Sequence, residues 1–206
     1  MLKIWGRANS VNVKKVLWCC EELGLAFERI DAGMQYGVVN TPEYRKLNPN
    51  GLVPTIEDEG FVLWESHAIV RYLAAKHGEG TLWPKDLRIR ADADRWMDWT
   101  TSTFAAAYRP VFWNLVRTPP EKRDMKAVAE GVTKCGELFG IVDAVLAGRA
   151  FLAGNALTMG DIPLGCFVHV WLKLPIERPA HPNLVAWHRR LLARPGYDKW
   201  INMPIS

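Results

Sequence analysis

The feature that most constrains this 206-residue chain is a change of pattern near residue 78. Before it, short apolar runs of strand length alternate with stretches of helical period. After it no strand pattern is convincing, and apolar residues step by three and four to the end of the chain. Any sheet therefore belongs to the first part, while the second buries its apolar stripes helix against helix. A chain of this length supplies two modest cores. The predicted plan is an α/β domain of order βαβ-αββα over 1–78, a linker over 79–88 and an all-α bundle over 89–206.

Residues 2–5 read as a strand. From Val13 the apolar positions Val13, Val16, Leu17, Cys20 and Leu23 predict a helix ending at Gly24. A second strand is expected over 26–30, and Thr41-Pro42 opens a short helix with a capping residue and proline at the first helical position. Asn48-Pro49-Asn50-Gly51 is a turn signal that leads into a hairpin, with strands at 52–56 and 61–63 around Glu57–Gly60. Ser66 is expected to cap a helix that Gly78 ends. In the second part Met125, Val128, Val132, Cys135, Phe139, Val142 and Leu146 keep helical spacing. Residues 162–172 are apolar nearly all round, which marks a central helix, and Asn183 to Ala193 form a last amphipathic helix stopped by Pro195-Gly196.

Composition narrows the function classes. Hydrophobic residues are 49% and charged residues 23%, the balance of an ordinary soluble protein. The net charge of +4 is scattered, so neither nucleic acid nor another polyanion is expected as partner. Met1 leads directly into Leu2-Lys3-Ile4-Trp5 without a signal-peptide pattern, and no apolar run reaches membrane-spanning length. Cys19, Cys20, Cys135 and Cys166 form no CxxC, and the five histidines form no metal constellation, so no metal is expected. Cys19 and Cys20 point in different directions on their helix. A reduced, cytoplasmic protein is the expectation.

Three stretches carry chemistry. Pro54 lies inside a strand-like run, where its missing donor requires an edge or a bend. A cis Val53-Pro54 bond would leave the backbone of Val53 unpaired and open to an extended peptide, while a trans bond would make a plain edge strand. Glu65-Ser66 places a carboxylate and a hydroxyl at a helix N-terminus, whose free N–H groups favour a bound carboxylate. Glu65 beside them suits an ammonium, so the pair fits the head of an amino acid; alternatively Ser66 is a cap and Glu65 only complements the dipole. Finally, Asn9-Ser10 and Asn12 stand at the start of the first helix, where Ser10 is either a cap or a donor aimed at a ligand.

Element order together with "NPNGLVP" (48–54) and "ESHAIVRYL" (65–73) resembles a soluble, cytosolic-type glutathione transferase of the bacterial theta-like, serine-type group. The likeness extends over essentially the whole chain. "LTMGDI" (157–162) is similar to that family's capping box and hydrophobic staple, with Asp161 answering Thr158, and "HPNLVAWHRRLLARPGY" (181–197) resembles its last long helix.

The resemblance implies a thioredoxin-like first domain that binds glutathione as co-substrate. Val53 would pair main chain to main chain with the cysteinyl unit, with Pro54 cis, and Glu65 and Ser66 would hold the γ-glutamyl head. At Leu52 many relatives carry a lysine or glutamine that helps bind glutathione, so Asn40 or Gln35 would have to reach the glycine carboxylate. Ser10 matches the position of the hydroxyl that stabilises the thiolate, the reacting form of a thiol, with Asn12 as rival or helper. No cysteine lies between residues 7 and 14 to form a mixed disulfide with glutathione. Phe104, Tyr108, Arg109, Phe112 and Trp113 would line an acceptor pocket for a small hydrophobic electrophile, although helical spacing alone would equally make them bundle core. The implied assembly is a homodimer. Conjugation in detoxification leads; glutathione-dependent disulfide reduction without an enzyme cysteine, and a non-catalytic binding protein of the same fold, are the alternatives.

Overall fold

The computed structural model describes residues 1–205. Its first unit comprises β1 (Leu2–Trp5), α1 (Val11–Glu22), β2 (Phe27–Ile30), α2 (Pro42–Leu47), β3 (Thr55–Asp58), β4 (Phe61–Trp64) and α3 (Ser66–His77). The strands form one sheet in the order β2-β1-β3-β4, with β1 parallel to β2 and the other two pairs antiparallel. This is the mixed four-stranded sheet expected of a thioredoxin-like domain.

Local chemistry sets several boundaries. Thr41 accepts a hydrogen bond from the Tyr44 amide at 3.2 Å and Pro42 occupies the first turn of α2. Positive φ at both Glu59 (+54°) and Gly60 (+86°) closes the two-residue hairpin between β3 and β4. The ladder of β3 starts at Thr55, later than the expected 52, because Pro54 has no N–H to donate. The Val53-Pro54 bond is cis.

The second unit begins with α4 (Leu87–Trp99), inside the stretch expected as linker. The Asp86 carboxylate caps it, accepting from Arg88 N at 2.7 Å and Ile89 N at 3.2 Å. A π-helical turn (Thr100–Phe104), α5 (Ala105–Phe112) and a second π turn (Trp113–Arg117) follow without leaving helical backbone angles. Pro110 within α5 lacks an N–H, and the Asn114 side chain donates to its carbonyl at 2.9 Å. Then come α6 (Met125–Leu146), α7 (Asp161–Lys173) and α8 (Pro182–Leu192). α8 ends before Pro195-Gly196, as expected, but it is not the last helix: Pro195 opens one more, α9 (Pro195–Trp200), with proline in its first turn.

Almost every residue of α7 is buried, so it is the central helix. Phe104 packs between Phe139 and Phe167, with ring centroids 4.7 and 5.6 Å away. The two units meet where α7 and α9 lie against α1. Trp18 of α1, fully buried, meets Tyr197 edge-on at 4.9 Å, and Arg194 Nε donates to Glu22 Oε1 at 2.8 Å. Gly165 makes the approach possible: a Cβ there would lie 2.9 Å from the Trp18 ring. Among the described residues no helix is long and apolar enough to cross a membrane.

Candidate active site

A cavity of about 810 Å³ opens between the two units, a size that suits small-molecule ligands. One wall comes from the β1–α1 loop, the start of α1, Val53 and the start of α3. The other comes from the π turns and α5, with Phe167 of α7 and residues 203–205 at the back.

Ser10 occupies the N-cap position of α1, and its carbonyl accepts from the Lys14 amide at 2.9 Å. Its hydroxyl makes no capping bond and has no partner among the described residues, yet it lines the cavity. The side chain therefore does not do what a serine cap normally does. It stands instead as a free donor where the α1 dipole favours negative charge.

Asn12, two residues further and still in the first turn of α1, is held by a network absent from the sequence reading. Lys15 Nζ, almost fully buried, lies 2.9 Å from Asn12 Oδ1 and 2.9 Å from His67 Nε2; His67 Nδ1 lies 2.8 Å from Thr101 Oγ1. Burial pushes the Lys15 ammonium down to about 8, against which nearby Glu65 acts. Burial first, then the charge of Lys15, pushes His67 down to about 2, so its ring is neutral. The ammonium, which can only donate, then donates to Nε2, and Nδ1–H donates to Thr101. By the same logic Lys15 takes the carbonyl oxygen of Asn12 and leaves its NH₂ as a donor. The one signal in sequence was a lysine three residues after Asn12 within an apolar helical run.

The Val53 backbone N–H and C=O have no partner among the described residues, as the edge-site reading requires. The loop before it is fixed by Tyr44 Oη and Asn48 Nδ2, which donate to the Leu52 carbonyl at 2.6 and 2.9 Å. Glu65, not Ser66, is the N-cap of α3, and it sits in the left-handed region at φ +74°. Ser66 is the first helical residue. Since Ile69 N is the first amide to bond within the helix, those of Ser66, His67 and Ala68 are free at the cavity wall.

The structure separates three predicted residues from this group. Asn40 is exposed, accepts from Arg45 NH2 at 3.0 Å and does not line the cavity; neither does Gln35. Phe104 is fully buried core rather than cavity wall, enclosed by Phe139 at 4.7 Å, Phe167 at 5.6 Å and Tyr108 stacked at 5.6 Å. Tyr108, Arg109, Phe112 and Trp113 do line the cavity, and the Tyr108 hydroxyl is buried with no partner among the described residues. Cys19 and Cys20 are buried, and burial pushes Cys20 up to about 12 and Cys19 well above the ordinary thiol range, so both are packing residues. Among the described residues no three potential metal ligands are gathered.

The chain is also similar to known proteins along its length. Residues 9–76 match the family model described as glutathione S-transferase, N-terminal domain, and residues 104–195 that of the C-terminal domain. The chain is 41% identical over 208 residues to glutathione S-transferase GstB of Escherichia coli, covering 100% of both chains. It is 36% identical to glutathione S-transferase F12 of Arabidopsis thaliana, over 79% of this chain and 78% of that one. Among solved structures it resembles the theta class glutathione S-transferase of the citrus canker pathogen Xanthomonas axonopodis pv. citri with glutathione bound, at a TM-score of 0.96 and 51% identity, covering 100% of this chain and 99% of that one. Two family models over most of its length, and this identity along all of it, establish that the chain belongs to the glutathione S-transferase family.

Proposed function

We propose that the chain lowers the thiol pKa of bound glutathione and delivers the thiolate to a small hydrophobic electrophile, a conjugation of the detoxifying kind. The observation that carries this reading is the Ser10 hydroxyl, free of capping and open to the cavity at the positive end of α1. A thiol of ordinary pKa is mostly protonated at neutral pH, and a donor to the sulfur favours the anion. Asn12, its oxygen engaged by Lys15, adds its NH₂ as a second donor.

The remaining contacts follow from the free groups of the cavity. The Val53 main chain pairs with the cysteinyl unit of glutathione. The γ-glutamyl carboxylate sits on the amides of Ser66, His67 and Ala68, and Glu65 takes the ammonium. The glutathione bound in the Xanthomonas relative supports the same ligand here. The acceptor lies against Tyr108, Phe112 and Trp113, with Arg109 beside them. Sulfur attacks the electrophilic carbon, a C–S bond forms, and the leaving group departs with its electron pair.

The protein acts as a homodimer in the cytoplasm. Exposed Phe61 and Trp64 on the first unit, and Leu87 and Ile89 on α4, supply apolar surface for the subunit contact, and four unpaired buried cysteines suit a reducing compartment. A second reading is favoured by the fixed Asn12 amide, which would serve the sulfur in glutathione-dependent disulfide reduction. Supplying glutathione with either an activated aryl chloride or bis(2-hydroxyethyl) disulfide separates them. Conjugation yields a thioether by mass, reduction yields glutathione disulfide, and turnover of the disulfide alone would sink the first reading.

A further inference from the structure

Several arginines of this chain find acids, and others, such as Arg45, Arg123, Arg178 and Arg190, find carbonyl or amide oxygens. Arg29 pairs with Asp31, Arg71 with Asp94 and Asp98, Arg149 with Asp92 and Arg194 with Glu22. Arg7 and Arg117, on facing walls of the cavity, have no acid among the described residues, and neither has Arg109 in the same lining. Arg7, in the β1–α1 loop, makes no side-chain hydrogen bond or ion pair among the described residues, and its Nε is buried without a partner. Arg117, ending the second π turn, lies over the Phe112 ring at 5.8 Å and has no acidic partner among the described residues. Arg117 adds positive potential at Arg7, which burial already disfavours as a cation. The carboxylates lining the cavity are Glu65, at the start of α3, and Asp98, already paired with Arg71. A buried donor of a permanent cation, left unpaired beside a second cation, costs free energy unless an anion completes it.

Resting on the transferase reading above, we infer that the acceptor half of the cavity takes an electrophile bearing a carboxylate, held between Arg7 and Arg117. The need is greatest for such a substrate. Glutathione as its thiolate carries two carboxylates, one ammonium and one sulfur anion, so a negatively charged acceptor is repelled as it approaches. The unpaired guanidinium groups of Arg7 and Arg117 in the cavity wall offset that repulsion, and either can hold a carboxylate by charge-assisted hydrogen bonds. Phe112 carries the ring of an aromatic acceptor beside Arg117. A carboxylate could also come from the glycine end of glutathione itself, and the experiment has an arm for each source.

The test compares 4-chloro-3,5-dinitrobenzoate with its uncharged carboxamide as acceptors for glutathione. In both, sulfur bonds to the ring carbon bearing chlorine, chloride leaves with the bonding pair, and the thiol proton passes to solvent. Arg117→Gln should lower the carboxylate-to-carboxamide ratio of kcat/KM about tenfold to a hundredfold, the worth of a charge-assisted hydrogen bond. Arg7→Gln should lower it in the same sense, and added salt should narrow the wild-type preference. Equal losses for both acceptors in both variants overturn the inference. If those losses come with a raised KM for glutathione but not for its glycine ethyl ester, the pair serves the glycine carboxylate instead. Consumption of neither acceptor by the wild type would overturn the transferase reading itself, and the inference with it.

Discussion

Replacing Ser10 by alanine separates its two possible duties, because each predicts a different quantity. A helix cap removed in this way typically costs about 1 kcal/mol of stability. Here the Ser10 hydroxyl makes no capping bond, so that cost should be largely absent and Tm should move by no more than about 2 °C. The loss should fall on the thiolate. A hydrogen bond to a charged group is worth about 1.5–3 kcal/mol, and one pKa unit corresponds to about 1.4 kcal/mol, so the bound thiol should rise by about one to two units. At neutral pH that reduces the thiolate fraction, and with it kcat/KM, by about tenfold to a hundredfold. The assay is the ultraviolet thiolate absorbance of enzyme saturated with glutathione, titrated in wild type, Ser10→Ala and Asn12→Ala, with thermal unfolding measured alongside. An unmoved thiol pKa together with a Tm lowered by several degrees would show Ser10 to be a cap. A shift confined to Asn12→Ala would move the sulfur to Asn12 and favour disulfide reduction.

Two further predictions concern the frame around the site. Gly165→Ala places a Cβ 2.9 Å from the fully buried Trp18 ring at the junction of the units, so it should destabilise by about 1–3 kcal/mol, read as a lowered urea midpoint; a midpoint unchanged within error would mean α1 and α7 are not packed as described. The second is pH dependence. Burial holds His67, His169 and His188 down to about 2, 3 and 4, so below about 6.5 the unfolded chain binds more protons than the native one and stability falls with pH. Asp161, pushed up to about 6 by burial, acts in the opposite sense between 6 and 4, leaving a net slope near that of about two protons. Urea midpoints from pH 7 to 5 should show it, and His188→Gln should flatten it; a flat wild-type profile would contradict the burial of these rings.

Much of the candidate site was legible in sequence because its residues stand where local chemistry sets the backbone. Val53-Pro54, Glu65-Ser66 and Ser10 lie at element ends, and end positions follow from proline, capping and turn chemistry within a few residues. The shift from mixed to helical pattern at residue 78 likewise determined the order of elements and the split between a small sheet and a bundle. Pro195-Gly196 was read rightly as a stop for α8 but not as the start of α9, because proline serves both at a helix end and in a first turn.

What only the tertiary structure decided is which side chains meet across long separations. Helical spacing put Phe104 on the same stripe as Tyr108, and the two rings do stack at 5.6 Å, but packing against Phe139 and Phe167 closes Phe104 into the core while Tyr108 reaches the cavity. Lys15 and His67 are 52 residues apart and Arg194 stands 172 from Glu22, and no local pattern reports such pairs. The same holds for charges left over. That Arg7 and Arg117 lack acids can be known only after every acid has been placed. Sequence alone determines what each segment prefers to be, through backbone sterics and apolar periodicity. Burial and unpaired charge are properties of the packed whole, and they decide what the cavity can hold.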